Sequence, residues 1–193
     1  HTVKRFAFLL NGFCMSVVTE YARPREFIAL AAFLMATIAF AIDMMLPAMG
    51  QMAIDLEPSE PARISWVILG IFAGLIFGQL VFGPLSDAIG RRGSIQIGIA
   101  IFLIGTGVCA LTDSFEVLIA GRVLQGFGGA ATRIVTQAMV RDRFAGREMA
   151  RVMSFVMTIF ILVPIFASMI GQVVLWFGNW QMLFVTLLLA CLK

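Results

Sequence analysis

Apolar runs at about residues 27–49, 62–83, 94–112, 115–140, 151–176 and 180–192 leave this chain few ways to fold. A helix needs about 20 apolar residues to cross the hydrocarbon core of a bilayer, and all the runs but the last are long enough. Hydrocarbon offers no partner to a bare amide, so such spans must be helices that close their own hydrogen bonds. Hydrophobic residues make up 61% of the 193 and charged residues 13%, against about 25% charged in an average soluble chain. The expectation is an all-α integral membrane fold of six spans, the sixth cut off at Leu192 and Lys193.

His1 stands where an initiator Met would, which together with the short sixth run suggests a fragment. Residues 1–25 read as a cytoplasmic or interfacial tail, and 26–193 as one six-helix domain. The stretch 6–18 sits behind Lys4 and Arg5 in the manner of a signal peptide, but no small-x-small cleavage site precedes Glu20.

The net charge of +3 could suggest a nucleic-acid partner, but the positions of the basic residues argue against it. Lys4, Arg5, Arg23, Arg25, Arg91, Arg92, Arg141, Arg143, Arg147, Arg151 and Lys193 fall at one set of helix ends, and Arg63 alone at the other. Basic residues mark the cytoplasmic side. The amino terminus and the 84–93 and 141–151 loops are therefore expected inside, with Asp55, Glu57, Glu60, Asp113 and Glu116 outside. Cys14, Cys109 and Cys191 lack paired or metal-like spacing, and His1 is the one histidine. The chain cannot supply a serine-histidine triad or a histidine-rich metal site, so no enzyme, metal or cofactor is expected.

Within the uncharged run Phe27–Gly50 stands Asp43. A carboxylate at membrane depth costs about 2.5–3.5 kcal/mol on insertion scales, so it is by default a statement about function; the alternatives are an acid that snorkels to the interface or one paired for structure. Pro47 follows one turn later on the same face and frees a backbone carbonyl beside the acid. It could equally mark the end of the span.

Arg122 and Arg133 lie inside the fourth run, eleven residues apart, which is close to three turns of helix. They share a face with Gln125, Gly126 and Gly129 close by, so both either look into the bundle or snorkel to opposite headgroup layers. Gly70, Gly74 and Gly78 recur every four residues in the second run, a surface for close helix packing. The third run, with Gly98, Gly105, Gly107, Thr106 and Cys109, reads as scaffold. In the fifth, Pro164 followed by Ala167, Ser168 and Gly171 reads as a kink or as close packing. Met45, Met49, Met52, Met153, Met157 and Met169 suit lipid or core positions, or a permissive pocket.

The loop Gly83-Pro84-Leu85-Ser86-Asp87-Ala88-Ile89-Gly90-Arg91-Arg92-Gly93 resembles the signature loop of the major facilitator superfamily, Gly-x-Leu-x-Asp-Arg-x-Gly-Arg followed by Arg or Lys. Ala88 stands where that pattern has its first Arg. Arg122-Val123-Leu124-Gln125-Gly126 is similar to the fourth-helix motif of the proton-coupled drug exporters in that family, and Asp43 with Leu46-Pro47 to their first-helix motif. Val140-Arg141-Asp142 and Leu162-Val163-Pro164 resemble the bicyclomycin and chloramphenicol resistance branch (Bcr/CflA). In the fifth helix Ala167-Ser168-Met169-Ile170-Gly171-Gln172 departs from the antiporter motif, which has a Pro after its first Gly or Ala and then a Gly pair.

The resemblance implies one six-helix half, made of two inverted three-helix repeats, of a transporter that rocks about a midplane cavity. It further implies proton-coupled efflux of amphiphilic drugs across a bacterial inner membrane, driven by the proton motive force and completed by a carboxy-terminal half. Asp43, Arg122, Gln125 and Arg133 would line the proton and substrate cavity, and Asp43 would face Arg122 in one wet space. Gly83, Asp87, Gly90, Arg91 and Arg92 would form a cytoplasmic gate loop, with tight turns at both glycines and the arginines against carboxylates or lipid phosphates. Pro47, Pro164 and Gly171 would act as hinges. Two other readings remain open, a transporter of a small metabolite and a half-length chain that transports nothing alone.

Overall fold

The computed structural model describes residues 24–55 and 61–192, all of the regular structure being helical. The expected tail 1–25 lies almost wholly outside the described residues, as do Cys14, Glu57 and Glu60. The elements run α1 (Pro24–Asp43), a 3-10 turn (Leu46–Ala48), α2 (Met49–Asp55), a second 3-10 turn (Pro61–Ser65), α3 (Trp66–Ala88), α4 (Arg91–Leu111), α5 (Phe115–Arg143), α6 (Gly146–Phe177) and α7 (Gln181–Leu192).

Among the described residues four segments are long and apolar enough to cross a membrane: Glu26–Asp55, Arg63–Ala88, Arg91–Leu111 and Gly146–Trp176; Gln181–Cys191 is apolar but shorter. α5 is long enough, at 29 residues, but not apolar enough to join them. Arg122, Gln125, Thr132, Arg133, Thr136 and its glycines lower its hydropathy, and the fold compensates by placing it at the centre. α3 packs along one flank of α5 and α4 along another, while α1 lies across both α5 and α6, and α7 lies against α4.

The close approach is made by missing side chains. A Cβ on Gly74 would run into the Val123 carbonyl, and one on Gly126 into the Ile71 carbonyl, so α3 and α5 meet backbone to backbone. Gly105 does the same for α4, where a Cβ would stand 2.5 Å from the Gln125 amide nitrogen. The opposite face of α3 exposes Leu69, Phe72, Ile76, Phe77 and Leu80, an arrangement suited to hydrocarbon rather than water.

Two apolar clusters close the bundle at its ends. Met44, Met45, Met52, Leu118, Trp180 and Phe184 pack around the end nearer Asp55, and Phe27, Met35, Val140, Phe144, Val152 and Val156 around the other. At the Asp55 end, Trp180 Nε1 donates to Asp55 Oδ2 (3.1 Å), Gln181 Nε2 donates to Asp113 Oδ1 (3.1 Å), and Arg63 lies 3.6 Å from Glu116. The first two bonds tie the start of α7 to the ends of the first and third spans, and the ion pair joins the second and fourth.

The signature loop is shorter than expected. α3 does not stop at Gly83 but continues through Pro84 to Ala88, leaving only Ile89 and Gly90 between helices. Gly83 is helical, with open space where a Cβ would go, so the expected turn there is absent. Gly90 alone meets the need for a turn, at φ 88°, a region that costs a side chain dearly. Pro164 likewise sits inside a continuous α6.

Candidate functional site

The first span is broken beside its acid. Pro47 has no N–H and its ring collides with the carbonyl one turn back, that of Asp43, so α1 ends there. The Met44 amide still bonds Phe40 (3.1 Å), but the Met45 amide turns to the Ile42 carbonyl (3.4 Å) rather than to that of Ala41. The chain then passes through the 3-10 turn into α2. Two carbonyls, those of Ala41 and Asp43, are left without their helical donors, and in an apolar interior each needs another.

Both are met from other helices. Arg122 Nη1 on α5 donates to the Ala41 carbonyl (3.2 Å), and Ser168 Oγ on α6 donates to the Asp43 carbonyl (3.4 Å). Gly171, one turn beyond Ser168, lets α6 come close, since a Cβ there would stand 2.5 Å from the Met44 carbonyl and 3.1 Å from Pro47 Cγ.

Arg122 is 1% exposed. Besides Ala41, its Nη1 reaches Gln125 Oε1 (2.9 Å); Gln125 Nε2 donates to Thr106 Oγ1 (2.9 Å), and Thr106 donates to the Phe102 carbonyl (2.8 Å). The guanidinium lies over the Phe184 ring at 4.8 Å from its centroid, where the negative face of the ring attracts it. Its Nε has no protein partner. A small apolar cavity opens next to the break, lined by Ala41, Met44, Met45, Leu183, Phe184 and Leu187.

The other expected site residues fall as follows. Asp43 is half-buried at the end of α1, and among the described residues no ion pair joins it to Arg122. Arg122 holds instead the backbone two residues before Asp43, because the freed carbonyl needs a donor. Arg133 lies about 16 Å further along α5, half-buried, with its guanidinium 5.7 Å from the Phe160 centroid. It does not join the Arg122 cluster. Gln125 is central to that cluster.

At the connection between α3 and α4 Arg91 gathers the charges. Its Nη1 lies 2.7 Å from Asp87 Oδ1 and donates to Ser86 Oγ (2.6 Å), while its Nε donates to Asp142 Oδ2 (3.0 Å) at the end of α5. Ser86 in turn donates to the Gly83 carbonyl (2.9 Å). Arg92 is exposed. Sequence reasoning missed Thr106, Phe184, Ser86 and the role of Asp142. Thr106 was readable as a polar group inside an apolar span, and Asp142 as a second acid near two arginines.

A bundle of membrane-length helices packed through glycines, with a broken first span and a buried cation fixed beside it, is the architecture of an integral membrane protein with a polar interior. Residues 7–192 match the Major Facilitator Superfamily, and the chain belongs to that family as an amino-terminal six-helix half. It is 37% identical to the uncharacterised MFS-type transporter YdgK of Bacillus subtilis over 171 residues, covering 86% of this chain and 42% of that protein. It is 33% identical to the bicyclomycin resistance protein homolog of Haemophilus influenzae, covering 75% and 36% respectively. Multidrug resistance protein MdtL of Escherichia coli is 32% identical, with 76% and 37% covered. The chain thus spans about two fifths of the length of these relatives.

Proposed function

We propose that the protein to which this chain belongs exports small amphiphilic compounds across the bacterial inner membrane in exchange for protons, with its amino terminus in the cytoplasm and a carboxy-terminal half completing the cavity. The observation that carries this reading is the break in the first span at Asp43, capped at Ala41 by a fully buried arginine. A broken helix at membrane depth is how carriers of this architecture build a site, and the relatives named for bicyclomycin and multidrug resistance point to drugs as the cargo.

In this mechanism Asp43 carries the proton. Arg122 and Gln125 fix the backbone from which that carboxylate projects, and Arg133 adds positive charge further along the cavity wall. Each proton moving inward gains about 2.3 kcal/mol per 100 mV, enough for about a fifty-fold drug gradient. Arg91, bridging α3 and α5 through Asp87 and Asp142, locks the cytoplasmic ends in one arrangement, Gly90 supplies its turn, and Arg92 faces the lipid phosphates. Pro47, Pro164 and Gly171 lie where the first and fifth spans would flex against each other.

The test is Asp43→Asn in the full-length protein, assayed in everted vesicles with an imposed pH gradient. Drug efflux driven by the gradient is expected to vanish with expression unchanged; efflux that persists would remove Asp43 as the carrier. Uptake of metabolites in the same vesicles, with drug tolerance unaffected by the gene, would favour a metabolite carrier instead.

A further inference from the structure

We propose that Thr106 of α4 is a positioning residue for Arg122, acting through Gln125 and so deciding whether the break in the first span is capped. The proposal rests on the reading of the Asp43 region as the coupling site.

The direction of the hydrogen bonds leaves one arrangement. A backbone carbonyl only accepts, so the single hydroxyl hydrogen of Thr106 is committed to Phe102 (2.8 Å), and its lone pair is what Gln125 meets. The amide NH2 of Gln125 must therefore face Thr106, which turns its oxygen to Arg122 Nη1. A flipped amide would set NH2 against guanidinium, donor to donor, and its oxygen against a hydroxyl with no hydrogen to give. With one Nη1 hydrogen on Gln125, the other is aimed at the Ala41 carbonyl. Thr106, Arg122 and Gln125 are each no more than 1% exposed, so water cannot substitute for any link.

Local packing serves the same end. Gly105, beside Thr106, brings the α4 backbone against Gln125, close enough for a short side chain to reach the amide, and the guanidinium of Arg122 lies over the Phe184 ring. Both hydrogen bonds of Thr106 run to Phe102 and Gln125 rather than to the first span, yet it selects the amide orientation on which the Ala41 cap depends.

Thr106→Val keeps the shape and removes the hydroxyl; Thr106→Ser restores it. Hydrogen exchange by mass spectrometry, on the full-length protein in detergent, is read over residues 42–50. T106V should raise exchange there by about tenfold, as loss of one hydrogen bond implies, and T106S should match the parent. In vesicles T106V should lower the maximal rate of pH-driven efflux about tenfold with the drug KM within about twofold, and T106S should restore the rate. Unchanged exchange in T106V, or T106S exchanging as fast as T106V, overturns the proposal. Should T106V fail to fold, Thr106→Cys, a weak acceptor of similar size, must give intermediate exchange, and parent-like exchange would overturn it too. If exchange responds as expected while D43N still couples efflux to pH, the positioning role stands and the coupling reading fails.

Discussion

Arg91 Nε lies 3.0 Å from Asp142 Oδ2, across 51 residues of sequence, while the same side chain holds Asp87 at 2.7 Å. One guanidinium thus joins the adjoining ends of α3, α4 and α5. All three side chains are partly open to solvent, so the pairs add little to global stability; under the proposed mechanism they bear on the balance between conformations.

Asp87→Ala and Asp142→Ala should each shift the balance between inward- and outward-facing forms by about threefold, and the double variant by less than the product, since both act on Arg91. Spin-label distances across the Asp87–Asp142 face of the full-length protein measure it. Additive shifts would show two independent contacts, and high salt should shrink the effect.

Arg122→Leu should destabilise the protein by about 2–4 kcal/mol, because the Ala41 carbonyl and the Gln125 oxygen both lose their donor in a dry interior. Arg122→Lys should recover only part of that, since an ammonium on a flexible stem cannot reproduce the planar fork. Denaturant unfolding in detergent is the measurement; a leucine variant as stable as the parent would show that the guanidinium is not held as described.

Gly74→Leu should prevent assembly of α3 on α5, because its Cβ would overlap the Val123 carbonyl, backbone that cannot yield. Gly83→Ala, with nothing within 4 Å of the added carbon, should be neutral or stabilise by about 0.5–1 kcal/mol through helix propensity. The yield of monodisperse protein separates the two, and equal yields would contradict the packing.

Gly90→Ala should cost about 1–3 kcal/mol from the backbone conformation alone, with no clash to relieve. Its thermal unfolding midpoint should fall while that of Gly83→Ala does not.

The membrane spans were legible from hydropathy because lipid leaves a helix no other choice. An inward Arg122 is one of two readings open to the sequence, beside snorkelling, and a break at Pro47 stands beside the reading that it ends the span; the structure has Arg122 buried and α1 ending at Asp43. What Arg122 would bind was not legible. Its partner is a backbone carbonyl, which every residue has and no side chain announces, and that carbonyl became available only because the break redirected the Met45 amide. Thr106 lies 19 residues from Gln125 on another helix, so its hydrogen bond depends on the tertiary fit that Gly105 allows. Gly83 misled because a glycine before a proline looks like a turn, whereas α3 absorbs both.

The polar character of α5 also bears on how the protein is made. The helix at the middle of the bundle is the membrane-length one least suited to leave the translocon for lipid by itself. α3 and α4 precede it off the ribosome, and their glycine faces offer its backbone a proteinaceous berth. Insertion of this helix should therefore depend on the pair made before it, and a bulky residue on the glycine face of either should lower the fraction of α5 that inserts.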